Sequence, residues 1–234
     1  YGVEGFATPK HLVKEDGSQA QLDEKLEFKV IEFNKDAKRI ILSHSRIFED
    51  AAKAEERAEK IKVYHEMIDF CAMADIPAMH SHFGFIPEDP SSAQYKDFIK
   101  VMQDLANYAK ERNVMIYFET GQETPTTLIR AIKDIGTGNV FINCDLANLL
   151  MYGKSNSLDA VKLFGPLIKE FHAKDGKYPD PNNPYELGAE VPIPTGEVNF
   201  PAVIAELKKQ GFKGAVTIEC ELNGTRHDLS LIHI

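Results

Sequence analysis

Four apolar runs in this chain each stop on a side chain able to hold a metal ion or move a proton. "VMIYFE" stops at Glu119, "VFINCD" at Asp145, "IKEFH" at His172 and "AVTIE" at Glu219. Taken singly, a strand-end acid is solvated or caps a helix, and a histidine beside an apolar run is a satisfied core group. Taken together, three carboxylates and one imidazole are costly to bury unless a cation compensates them. The set is rich in oxygen and has no thiolate. It suits one hard to borderline divalent ion (manganese, magnesium, cobalt or zinc) better than a structural zinc site. Cys144 and Cys220 adjoin two of these residues, but strand alternation turns them to the opposite face.

The elements that must position these groups begin near Ile61. "KVYHEMIDFCAMADI" reads as an amphipathic helix, and "PAMHSHFGF" as a short strand running into glycine. "QYKDFIKVMQDLANYAKERN" is a long helix with an apolar face expected at Phe98, Val101, Met102, Leu105 and Tyr108. "TPTTLIRAIKDIG" is a helix capped by Thr124 with Pro125 in its first turn. "LDAVKLFGPL" and "NFPAVIAELKKQG" are further helices, the latter closed by Gly211. Apolar strands alternating with amphipathic helices predict a parallel α/β sheet. In such a sheet all C-terminal strand ends lie on one side, and curvature into a barrel makes them converge on its mouth.

From about Ile61 to Gly224 the chain resembles the sugar phosphate isomerase/epimerase family, which has a xylose isomerase-like (β/α)8 barrel. The motifs that carry the resemblance are "SHFGFIPEDP", "FETGQET", "NCDLANLLMYG", "HAKDG", "EVPIPTGEVNF" and "TIECE". The resemblance implies a single divalent metal held by Glu119, Asp145, His172 and Glu219. It also implies a sugar or sugar phosphate substrate, with His82 lining its pocket. Gln122, Glu123, Asn148, Lys174 and Asp175 are weaker substrate-binding candidates. For each of these six, His82 included, a role in structuring a loop is the alternative. In the epimerases of this family one Glu removes the proton α to the carbonyl and another returns it from the opposite face. Glu119 and Glu219 would be that pair, and an isomerase would return the proton to the adjacent carbon. The Pro-rich stretch "KYPDPNNPYELGAEVPIP" could cover the pocket or be a static loop.

Only about the last five of eight barrel strands are legible, so the expected fold class is α/β, a partial (β/α)8 TIM barrel. Residues 1–48 read instead as a small β segment. They resemble the last part of an RNA-binding OB-type repeat of a large bacterial ribosomal small-subunit protein, on "YGVEGFATPKHLV" and "LEFKVIEFNKDAKRIILSHS". That resemblance implies weak RNA contacts through His11, Lys38 and Arg39, with Phe6 and Phe28 expected in the core. Residues 49–60 read as a charged helical linker, 61–226 as the partial barrel, and 227–234 ("LSLIHI" included) as a non-native tail resembling a translated library transposon end. A fused and truncated chain of this kind is expected to be unstable unless it oligomerises.

Composition is that of an ordinary globular chain, 43% hydrophobic and 27% charged over 234 residues. No apolar run approaches the ~20 residues of a membrane span, and no leader marks export. Scattered Cys71, Cys144 and Cys220 suit a reducing, cytoplasmic setting. The net charge of -9 disfavours a surface devoted to nucleic acid. It also counts against the alternative of an apurinic-site endonuclease-like barrel, which would need more histidines and a basic face. A non-enzymatic RNA-binding module remains the other alternative.

Overall fold

The structure is a computed structural model that describes residues 4–36, 39–183 and 185–222, in two units, Tyr1–Tyr64 and His65–Ile234. In the first unit, β1 (Lys29–Asn34) and β2 (Arg39–Ser43) pair antiparallel, from Lys29 opposite Ser43 to Asn34 opposite Arg39. The register slips between Val30 and Glu32, where the apolar alternation of the sequence also falters. One parallel bridge joins Phe6 to Ile41. Phe6 and Phe28 are not core: they are 66% and 38% exposed, because a two-stranded ladder has no second layer to bury them against. His11 is bonded through Nδ1 to the Ser43 hydroxyl at 3.1 Å, and Arg39 is paired with Glu32. Lys38 and residues 227–234 lie outside the described residues.

Helix α1 (Ser45–Met73) runs through 29 residues. The expected charged linker and the amphipathic helix after it are thus one element. Its Ala, Glu, Lys and Arg are strong helix formers, and no Gly or Pro interrupts them.

The second unit is built on β3 (Ala78–Ser81), β4 (Met115–Glu119), β5 (Val140–Asp145), β6 (Ile168–Ala173) and β9 (Ala215–Ile218). These pair in parallel in that spatial order, a half-barrel sheet of five strands. Helices α2 (Ala93–Lys110), α3 (Pro125–Ile135), α4 (Leu146–Met151), α5 (Ser157–Phe164) and α6 (Phe200–Lys209) make or share the crossovers. β7 (Asp175–Gly176) and β8 (Glu190–Val191) form a small antiparallel pair beyond β6.

Caps fix where the helices start. Thr124 accepts from the Thr127 amide ahead of Pro125, and Gly136 closes α3 at φ 67°, a conformation that costs glycine little. The buried stripe of α2 is Tyr95, Ile99, Met102, Leu105, Ala106 and Ala109. Phe98, Val101 and Tyr108 flank this stripe and are only half-buried. Tyr108 instead donates its hydroxyl to Asp69 and stacks on His65. Along the strands, Met79, Ile116, Phe118, Ile142, Cys144 and Phe171 face the helices and are buried. Burying a side chain such as Phe171 is worth about 1.5–3 kcal/mol. Period-two alternation therefore sends Glu119, Asn143, Asp145, Glu170 and His172 to the other face. Register completes the alignment: Glu119 lies opposite Asn143, and Asp145 opposite His172.

Candidate metal centre

Each of the four strand-end residues is delivered by its own strand terminus. Glu119 and Asp145 close β4 and β5, His172 is the penultimate residue of β6, and Glu219 follows β9. One potential ligand atom from each lies within 4.8 Å of the other three. His172 Nδ1 is 2.7 Å from Glu219 Oε2, 3.4 Å from Glu119 Oε1 and 3.9 Å from Asp145 Oδ2.

Asp145 is completely buried, and its two oxygens have different fates. Oδ1 caps α4 by accepting the Asn148 amide at 2.9 Å. Oδ2 has no hydrogen-bond partner. Thr120 pins the same residue from the neighbouring strand, accepting the Asp145 N–H at 2.8 Å and donating to its carbonyl. A buried, unpartnered carboxylate oxygen is costly, and here it is held rigidly towards a histidine and two further acids. That donor set fits a divalent cation.

The electrostatics agree with the geometry. Burial pushes the Asp145 carboxyl up, and neighbouring Glu219 adds to the push. Burial opposes the charged form of His172, but the Glu119 and Glu219 carboxylates outweigh it and lift the imidazole to about 9. Burial alone would raise Glu119 and Glu219, yet both end below the usual range. The His172 and His82 rings lower Glu119, and Asp145 and Lys174 lower Glu219.

Lys174 is 2% exposed and is the counter-ion of this acidic group. Its ammonium sits 2.9 Å from Glu221, 3.6 Å from Glu219, 3.7 Å from Asp145 and 3.9 Å from Glu190. Burial disfavours its charge, but these carboxylates hold its proton more firmly than usual. Asn148 lies behind it, donating to the Thr120 carbonyl at 3.1 Å and accepting from Lys174 at 3.4 Å.

Asp175 is placed differently from a substrate-binding group. It is 1% exposed, and its carboxylate collects the backbone amides of Gly176, Gly196 and Val198 at 2.9–3.1 Å. A Cβ at Gly196 would come within 2.2 Å of Asp175 Oδ1, so only glycine permits that approach. Asp175 thus ties down the loop after β6. Glu123 is buried, and burial raises its carboxyl.

Two recesses adjoin the cluster. One, of about 240 Å³, is lined by Tyr152, Lys174, Leu187, Glu219 and Glu221. The other, of about 190 Å³, is lined by Phe83, Phe85, Phe118, Gln122 and Glu123. His82, Glu119 and Tyr152 belong to both. His82 Nε2 lies 3.6 Å from Glu119 Oε1 and its ring is 58% exposed.

Several residues of the centre escaped the sequence reading. Asn143 stands two residues before Asp145 and Glu221 two after Glu219, a spacing that could have assigned them to the same face. Thr120 and Glu190 carry no such signal. His80, whose Nδ1 is 3.1 Å from Glu170 Oε2, joins Glu170 and His172 in a second close group on this face.

A parallel half-barrel with acids and a histidine converging at its strand ends defines a class of barrel mouth. The family model described as "Xylose isomerase-like TIM barrel" matches residues 2–232, and the chain belongs to that family. It is 33% identical to a xylose isomerase domain protein from Planctomyces limnophilus, with TM-score 0.71, covering 76% of this chain and 63% of that one. It is 24% identical over 181 residues to the uncharacterized protein MJ1311 of Methanocaldococcus jannaschii, covering 72% of this chain and 59% of the relative. The chain thus spans about six tenths of the length of both. A xylose isomerase-like TIM barrel protein from Mycobacterium smegmatis in complex with magnesium shares the fold at 17% identity and TM-score 0.59, over 76% of this chain and 65% of that chain. No helix among the described residues is long and apolar enough to cross a membrane.

Proposed function

We propose that this chain carries the metal-binding part of a divalent-metal-dependent isomerase or epimerase acting on a ketose. The observation that carries the reading is the buried Asp145 Oδ2, which has no hydrogen-bond partner and lies beside Glu119, His172 and Glu219. Proteins of the same fold include a D-psicose 3-epimerase in the presence of D-fructose, a D-tagatose 3-epimerase-like protein and an L-ribulose 3-epimerase, at 16–21% identity.

Glu119, Asp145, His172 and Glu219 would hold the ion. When bound, a divalent cation polarises a sugar carbonyl and offsets the negative charge that develops on its oxygen. Glu119 ends β4 and Glu219 follows β9, with β5 and β6 between them; both line the recess of about 240 Å³, and Glu119 lines the other as well. One carboxylate takes the proton α to the carbonyl and the other delivers one. His172, and after it His82, keep the Glu119 carboxylate ionised and ready to accept.

The substrate is uncharged. Among the described residues lining the two recesses, Lys174 is the single lysine or arginine, and four carboxylates already engage it. Glu119, Glu123, Glu219 and Glu221 line the same space and would repel a phosphate.

The test is deuterium wash-in. The 234-residue chain with Mn²⁺ is incubated in D2O with free ketoses and followed by NMR. Exchange at a carbon next to the carbonyl, lost in Glu119→Gln and Glu219→Gln, supports the reading. A chain that binds Mn²⁺ yet exchanges no ketose proton refutes it.

A further inference from the structure

The four residues of the proposed metal centre are not held equally. Glu119, Asp145 and His172 come from strands with a paired neighbour on each side, and their side chains are at most 9% exposed. Glu219 follows β9, which pairs with β6 alone among the described residues and is exposed at all four of its positions. The Glu219 side chain is 27% exposed. Its backbone N–H makes the last bond to β6, to the Ala173 carbonyl, and that bond is long at 3.3 Å.

Two residues later this segment meets a side chain instead of a strand. Both carboxylate oxygens of Glu190 accept the Glu221 N–H, at 2.9 and 3.2 Å. A bond to an ionised acceptor is roughly twice as strong as a neutral one, and the Glu190 side chain is only 11% exposed. The other tie on the segment, from the Glu221 carboxylate to Lys174, has a 70% exposed acid and is correspondingly weak. Glu190 is itself fixed by the loop that carries it. It lies opposite Gly176 in the β7–β8 pair, beside the Asp175 clamp. Ala189 accepts the Lys177 amide and Gly188 donates to the Met151 carbonyl, each at 2.9 Å. A Cβ on Gly188 would come within 1.9 Å of the Lys177 carbonyl oxygen, so this approach requires glycine. Leu187 and Gly188 also line the larger recess, so one short stretch of loop walls the recess and anchors the segment of Glu219.

We propose that Glu190 is a positioning residue of the metal centre, clasping the segment after β9 through the Glu221 amide and so holding Glu219 beside Glu119, Asp145 and His172. The inference rests on the metal-binding reading of those four residues. The role needs an acceptor and not a charge. Glu190→Gln keeps a carboxamide oxygen for the Glu221 N–H, and Glu190→Ala keeps none. Both remove the negative charge 3.9 Å from Lys174, so the two variants separate the clasp from electrostatics.

The test measures Mn²⁺ binding by isothermal titration to the 234-residue chain and these two variants, with urea unfolding in EDTA to establish that each folds. Glu190→Ala should bind on the order of tenfold more weakly, the lower end of what lost support behind a metal ligand costs. Glu190→Gln should keep most of the parent's affinity. In a Glu219→Ala background, Glu190→Ala should cost nothing more, because its effect runs through Glu219. A folded Glu190→Ala that binds as tightly as the parent overturns the proposal. So does a Glu190→Gln as weak as Glu190→Ala, or an undiminished loss in the Glu219→Ala background. No binding by the folded parent chain refutes the metal reading itself, and the inference with it. A readout that needs no variant is amide hydrogen exchange of the parent chain in EDTA. The Glu221 N–H should be protected, and exchange at the rate of an open chain overturns the proposal.

Discussion

Replacing Asp145 with Asn should make the metal-free chain more stable and the metal-loaded chain relatively less so. In the folded state the Asp145 carboxyl is buried, beside Glu219, with Oδ2 unpartnered. Its pKa is raised on folding, so ionisation costs stability. The cost is absent below the unfolded value near 3.8, grows as pH rises, and is complete above the folded value. Each unit of upward shift costs about 1.4 kcal/mol. Asn keeps Oδ1 as the α4 cap, since Asn caps as well as Asp. Its amide N–H can also donate to the surrounding carboxylates. Asp145→Asn should therefore gain about 1–3 kcal/mol at pH 8 in EDTA, roughly 3–10 °C in Tm for a chain of this size, and nothing near pH 4. With Mn²⁺ at a hundredfold excess over Kd the parent alone gains about 2.7 kcal/mol, so the order is expected to close or invert. Urea unfolding at both pH values, with and without Mn²⁺, measures all of this. An Asp145→Asn chain that is less stable than the parent in EDTA at pH 8, or that gains equally at pH 4, would refute the reasoning. Lys174 would then already compensate the buried charge in full.

Other outcomes follow from the same geometry. Because His172 is held protonated up to about 9, Mn²⁺ affinity should rise by up to tenfold per pH unit between pH 6 and 8; a pH-independent affinity by isothermal titration would contradict this. Asp175→Ala leaves three backbone amides without their acceptor and should cost roughly 2–4 kcal/mol in urea unfolding. Asp175→Asn, which can still serve Gly176 and Val198, should lose less. A free ketose should compete with a fluorescent sugar ligand for the Mn²⁺-loaded chain at least tenfold better than its phosphate ester; the reverse order would contradict a recess ringed by acids.

Much of the barrel half was legible because its strands and helices obey different periods. Apolar runs such as "VMIYF" and "VFINC" ended where the strands end, and Thr124–Pro125 marked a helix start that the structure places within a residue. The four strand-end residues stood out because each closes a run rich in apolar residues. Three things were not legible. Helix α4 was hidden because Leu146–Met151 is only six residues long and apolar except for Asn148, so no polar face could be read. The burial of Lys174 was hidden because its acids come from β5, β8 and the segment after β9, far apart in sequence. In Tyr1–Tyr64 the apolar residues promised a core that two strands have no layer to build, so Phe6 and Phe28 lie open.

The double duty of Asp145 has a consequence for how such a site can change over generations. One carboxylate oxygen is a helix's first anchor and the other belongs to the cluster, so lengthening the side chain by one methylene to Glu would displace both. The wall of the recess at Met151 and Tyr152 hangs from the helix this residue starts. Chemistry and pocket shape are therefore inherited together here. A lineage that drifts towards a new substrate must do so through Leu187, Gln122 or the phenylalanines, while this aspartate stays where it is.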